Sequence, residues 1–149
     1  MQFKKQIRLL SLCGVLACCL GCGEAQPENQ RVVFPASGRV TFRGEPIQDA
    51  YISLHPVVEP TDGLPVVLSR AKSEADGTFQ LATYQTGDGA PIGEYKVAVS
   101  WEGPLEGLTE SQRDQLTELL PVEYTHPAAS GLTVRVDEGE NSLQEIVLN

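Results

Sequence analysis

The reactive groups available to this chain are four cysteines, two histidines and twenty acids. Cys13, Cys18, Cys19 and Cys22 all lie within the first 22 residues. A thiol can pair into a disulfide, ligate a metal or accept an acyl group. A disulfide framework needs cysteines spread through a folded domain, and tetrahedral zinc takes ligand pairs from separate loops. One N-terminal cluster supplies neither, and loss with a cleaved leader is a fair account of Cys13, Cys18 and Cys19. His55 and His126 each sit beside a proline; two imidazoles need carboxylate help to hold a metal, and both are read as solvent-facing. Asp76, Asp88 and Glu74 are near enough in sequence to be weighed as calcium ligands. Calcium, however, asks for six to eight converging oxygens, and this stretch follows no calcium-loop pattern. Asp76 is better read as capping its own turn, with no metal and no cofactor expected.

Catalytic patterns are absent as well. There is no G-x-S-x-G and no thiol beyond Cys22 to act as nucleophile. The glycine-rich Thr86–Glu94 stretch opens no helix and lacks the lysine of a phosphate loop. Acid–base hydrolysis needs two carboxylates in contrasting surroundings, and the sequence selects no such pair. Trp101 and Tyr124 could form a sugar platform, with Tyr51 and Tyr84 as further surface aromatics. Trp101 nevertheless falls in phase with the buried face of its strand. The expectation is a non-enzyme with no catalytic residue.

The cysteines close an export address. Lys4, Lys5 and Arg8 precede an uncharged run, Leu9–Leu20. That run is too short to span a bilayer, which takes about 20 apolar residues. A basic start, a short apolar stretch and small residues mark a secretory leader. The segment "CLGC" ending at Cys22 resembles the lipobox of bacterial lipoproteins, with Cys19 standing where leucine is usual. The rival site is "VLAC" ending at Cys18. Cys22 is preferred because polarity begins directly after it, at Gly23 and Glu24. The resemblance implies lipidation of Cys22 and anchoring to a cell or outer membrane. Two or three acyl chains, at about 0.8 kcal/mol per buried CH₂, would make that anchoring essentially permanent.

The net charge of −9 includes three basic residues of the leader, so the remainder stands near −12. This acidity excludes nucleic acid as a partner and disfavours an anionic bilayer. It suits cations or basic surfaces, and it also keeps an exported protein soluble. The expected organisation is a leader over residues 1–21, a polar linker over 22–35 and one domain over 36–149.

Within that domain the apolar residues alternate with period two. Val40 and Phe42 oppose Arg39, Thr41 and Arg43; Gly44 to Pro46 turn the chain. Further strands are read in "AYISLHPV", "VVLSRAKSE" and, after an Asp76–Gly77 hairpin signal, around Phe79 and Leu81. "EYKVAVSW" alternates Tyr95, Val97, Val99 and Trp101 against Glu94, Lys96, Ala98 and Ser100. Leu132, Val134 and Val136 make another strand, Glu138–Asn141 a turn, and Ile146 and Leu148 end the last strand. One helix is expected from "LTESQRDQLTELLP": Thr109 and Gln112 make a capping-box pattern, and Leu116, Leu119 and Leu120 a stripe stopped by Pro121. About seven strands separated by turn signals predict an antiparallel β-sandwich with one short inserted helix.

The motifs in that frame are similar to those of carboxypeptidase regulatory-like domains. Gly38-Arg39-Val40, Gly44-Glu45-Pro46 and Ala50-Tyr51-Ile52 follow the family's opening G-x-V, G-x-P and A-x-I/V. Ser73 to Phe79 matches S-x-x-D-G-x-F, and Gly93 to Val97 matches G-x-Y-x-V. The end, with Tyr124, Ser130-Gly131-Leu132-Thr133-Val134-Arg135-Val136 and Gly139-Glu140-Asn141, looks like the tail of small bacterial lipoproteins built on this domain. The resemblance covers Ala36 to the C-terminus. It implies a seven-stranded, transthyretin-like sandwich in which Gly38, Gly44, Pro46, Asp76, Gly77, Phe79, Gly93 and Tyr95 set turns and core. It implies no active site: a binding or structural module at the cell envelope, with a protein or glycan partner. A carbohydrate- or cation-binding protein is the alternative, followed by an unrecognised hydrolase.

Overall fold

A computed structural model describes residues 27–149. The leader over 1–21, Cys18 and Cys22 lie outside the described residues. The expected all-β sandwich is present, built from two sheets. In chain order the strands are β1 (Ala36–Phe42), β2 (Glu45–Pro46), β3 (Tyr51–Pro56), β4 (Ser69–Lys72), β5 (Thr78–Gln80), β6 (Gly93–Ser100), β7 (Thr133–Val136), β8 (Asn141–Ser142) and β9 (Ile146–Leu148).

One sheet runs β4-β3-β6-β7 and is antiparallel throughout. The other is organised around β1. Ser37 is flanked by β5 and β8, and Thr41 and Phe42 by β2 and β9. β8 and β9 pair with β1 in parallel. The expected antiparallel arrangement is corrected there. β7 ends in the opposite sheet, and the Asp137–Asn141 turn carries the chain across the sandwich, so it arrives running with β1. Asn141 fastens that crossing: Asp137 N–H donates to its Oδ1, and its Nδ2 donates to the carbonyls of Asp137 and Gly139.

The period-two patterning has its expected consequence. Val40, Phe79, Leu81, Ile146 and Leu148 from one sheet meet Ile52, Leu54, Val97, Val99 and Val136 from the other, all at most 4 % exposed. They form one apolar core, whose burial drives the two sheets together. β1 and β2 join through Arg43 and Gly44, both at positive φ (53° and 86°). Two left-handed residues give the hairpin turn whose twist matches the strands. Glu45 and Pro46, read as turn, already pair back onto β1.

Three other expectations are revised. The Asp76–Gly77 turn joins β4 and β5, which lie in different sheets and are tied by one antiparallel bridge, Arg70–Ala82, so it is a corner rather than a regular hairpin. The third strand is shorter than "VVLSRAKSE": only Ser69–Lys72 is strand, and Val66 and Val67 are exposed. The helix is a single turn, Glu110–Arg113. Gln112 does accept the Thr109 N–H at 2.9 Å, yet the leucine stripe does not continue the turn. Glu118 accepts the N–H groups of Trp101 and Leu120, and Leu119 N–H donates to Trp101 O. Those bonds draw residues 118–120 out of helical geometry. Leu120 is buried, Leu116 half-buried and Leu119 exposed. A helix this short has little stability of its own, so the tertiary bonds decide. A 3₁₀ turn, Val122–Thr125, packs beside β6. Among the described residues no helix is long and apolar enough to cross a membrane.

Candidate functional site

Gly38, Asp76, Gly77 and Tyr95, among the positions that carry the family resemblance, have backbone or packing work in the fold. Gly38 lies against the Phe79 ring: a Cβ there would stand 2.6 Å from the ring tip. Gly77 has φ +80°, and a Cβ would meet Val40 O at 2.5 Å and Pro46 Cβ at 3.0 Å. Asp76 Oδ1 accepts both the N–H and the hydroxyl of Thr78 (3.0 and 2.6 Å). The Thr78 hydroxyl and N–H therefore hold its carboxyl below the usual range. Gly93 opens β6. Tyr95, two residues on, is buried and donates its hydroxyl to Pro91 O at 2.7 Å. That i to i−4 bond is a tyrosine corner, which pins a strand to the loop before it.

The calcium candidates are not brought together. Asp76 precedes β5 and Asp88 follows it, so they sit at opposite ends of that strand. Asp62, before β4, is likewise at the other end from Asp76, after β4. The Asp88 carboxylate accepts the N–H groups of Thr83, Tyr84 and Gln85 at 2.7–2.9 Å, which organises its own loop. Glu74 is exposed on the β4–β5 corner. Among the described residues no three His, Cys, Asp or Glu side chains converge as a metal set.

His126 is exposed at the end of the 3₁₀ turn, beside the Thr125 hydroxyl. His55 departs from the sequence reading. It is half-buried on β3, with Nε2 3.1 Å from Ser53 Oγ. Burial, with a smaller contribution from the Arg70 charge, lowers its pKa. The aromatics are scattered. Trp101, just past β6, donates Nε1–H to Gln48 O at 2.7 Å and meets Phe42 edge-on. Tyr84 accepts Arg31 N–H, Tyr124 accepts Asn149 N–H, and Tyr51 faces Lys72.

Sequence reasoning missed three structural side chains. Asp49 has φ +65° and is 8 % exposed. It pairs with Lys72 at 2.7 Å and accepts Leu105 N–H at 2.7 Å. Burial opposes its ionisation, but the Lys72 ammonium and the Leu105 N–H outweigh it and its pKa is lowered. Ser73 donates to Ile47 O and accepts Ala50 N–H, both within the core. Arg31, placed in the linker, is docked: its guanidinium binds Asp62 in a fork (2.6 and 2.8 Å) and the carbonyls of Leu64 and Pro65. Phe34 bridges to Ala90. A local signal existed for Asp49, since Asp tolerates left-handed φ ahead of a strand, and for Ser73, which opens the S-x-x-D-G-x-F match.

Two of the grooves among the described residues are large enough to weigh as places for a ligand. One, about 900 Å³ and open to solvent, runs along the seam between β1, β4 and β5. Its charged lining includes Arg39, Arg70, Lys72, Glu74 and Glu145. Lys72 is held by Asp49, and Arg39 Nε donates to Asp76 O. Glu74 and Glu145 are both exposed, so the contrasting environments that set apart an acid and a base are missing. The other, about 540 Å³, lies at the end where the chain enters, between the β3–β4 and β5–β6 connections. Half of its lining is valine, isoleucine and proline, and the rest includes Arg31, Glu59, Asp62 and Glu94. No buried side-chain polar atom among the described residues lacks a partner.

No family model and no curated protein matches the chain. Among solved structures, it is similar to the dioxygenase domain of a dioxygenase carbohydrate-binding protein fusion from the cellulolytic bacterium Streptomyces sp. SirexAA-E. The two are 18 % identical, with 84 % of each chain covered and a TM-score of 0.37. A likeness at that level carries no argument about activity.

Proposed function

We propose that this chain is a non-catalytic, lipid-anchored module of the cell envelope, of the carboxypeptidase regulatory-like type. It is exported, held at a membrane through acylated Cys22, and presents its sandwich to a protein or glycan partner. One observation carries the reading. The residues the family motifs single out, Gly38, Gly77, Asp76, Phe79 and Tyr95, are spent on close approach, turn capping and a strand-to-loop bond. None is left over as a reactive group, which is how a scaffold differs from an enzyme site. The acidic exterior and the leader with its lipobox-like end agree with an exported location. Neither a sugar platform nor a cation loop gains support, because the aromatics and the carboxylates are dispersed.

The test is intact-mass spectrometry of membrane and soluble fractions, for wild type and Cys22→Ser. The expected result is a membrane-bound wild type carrying a diacylglyceryl mass, absent from the variant. A soluble, unmodified chain in both cases would overturn the anchor. A wild type that stays lipidated, with the mass retained in Cys22→Ser, would move it to Cys18.

A further inference from the structure

Among the described residues, the groove at the chain's entry end is open to solvent. Val58, Val66, Val67 and Ile92 line it with Pro60 and Pro91. The four aliphatic side chains are 78, 50, 40 and 54 % exposed. Val32 and Val57, next to groove residues in sequence, are also exposed, so six of the ten exposed large hydrophobics among the described residues fall in these segments. Scattered surface valines need no explanation; a cluster of this kind marks an interaction site.

What occupies it follows from where the chain comes from. Arg31 lines the same groove and is fastened to its wall through Asp62, Leu64 and Pro65. The described chain therefore begins only four residues before a groove-lining side chain. Only eight residues separate Arg31 from Cys22, and nine steps of extended chain reach at most about 30 Å. A lipid on Cys22 would keep the apolar end within that distance of the bilayer at all times. A short tether gives effective concentrations in the millimolar range, enough to engage an apolar contact too weak to bind a membrane unaided.

We propose that this valine- and isoleucine-lined groove rests on the lipid surface as a second membrane contact, orienting the domain with the Asp76 corner away from the bilayer. The proposal rests on the lipid-anchor reading. The carboxylates around the groove, Glu59, Asp62 and Glu94, fit a zwitterionic interface and not an anionic one, since like charges repel.

The experiment uses the full chain, purified from membranes, mass-checked for the lipid and reconstituted into protein-free phosphatidylcholine vesicles. Val58→Cys, or as control Ala75→Cys on the far corner, carries an environment-sensitive fluorophore. The expected result is a blue shift with quenching by bromolipid at 58, none at 75, and loss of the shift when Ile92→Asp is added. A lipidated protein whose label at 58 stays at its aqueous emission overturns the contact and leaves the anchor standing. A protein found unlipidated by mass removes the anchor and, with it, the tether on which this contact depends. A shift confined to native envelope membranes, absent in protein-free vesicles, means a protein fills the groove and overturns the lipid proposal.

Discussion

Asp49 shows how one side chain can join segments that local patterning leaves separate. Its carboxylate faces Lys72 of β4 and Leu105 of the long β6–β7 excursion at once. Asn keeps the left-handed backbone but loses the charge, so Asp49→Asn should cost about 1–2 kcal/mol by urea denaturation, a range that allows for the half-exposed lysine. Because the folded pKa is lowered, this contribution is complete above about pH 4, the ordinary carboxylate range. It is lost as the pH falls through the folded value, and the variant should have a flatter acid limb. His55 titrates higher. Its depressed pKa means the fold prefers the neutral ring, so its contribution is complete above about pH 6.5 and is lost as the pH falls through the lower folded value. His55→Gln should flatten stability between pH 7 and pH 5; an unchanged slope would contradict the half-buried placement. Gly38→Ala should cost about 1–3 kcal/mol from overpacking against Phe79. Any smaller effect, read as thermal stability, would mean that the ring can step aside.

Among the elements, the β4–β5 corner and the 101–120 excursion show opposite relations to local sequence. The Asp76–Gly77 pair does make a turn, with Glu74 N–H bonded to Thr78 O and Gly77 N–H to Glu74 O. Its partners then separate into different sheets. The corner is held by Val40 N–H donating to Gly77 O at 2.9 Å, a contact 37 residues away in sequence. Gly77→Ala meets both positive φ and the Val40 carbonyl, and should cost about 2 kcal/mol or more. A neutral result in chemical denaturation would show the corner to be soft. In the excursion the local signal was right for one turn only. Thr109 and Gln112 do what a capping pair does, and the leucines beyond them answer to Trp101 and Glu118 instead. The tyrosine corner at Tyr95 was legible as a motif, though its bond to Pro91 was not.

For the whole molecule, stability should be graded from the central strands outward. β1, β3 and β6 each have paired neighbours on both sides and supply the fully buried Val40, Ile52, Leu54, Val97 and Val99. The 101–120 excursion is tied at its base through Trp101 and Glu118 and at Leu105 through Asp49. Hydrogen exchange should find the slowest amides in those three strands, and the excursion opening well below the global free energy. Uniform protection would contradict this hierarchy. The sequence by itself determined the all-β class: period-two alternation with turn residues requires half-buried strands, since each has one apolar face to hide. It also determined most turns, because positive φ and carboxylate capping are properties of a few neighbouring residues. Tertiary structure alone decided which strands share a sheet, the parallel pairing of β8 and β9 with β1, the fate of the helix, and the docking of Arg31 beside an apolar groove. Those depend on residues far apart in the chain meeting through burial and hydrogen bonding, and no local pattern encodes which distant partner will arrive.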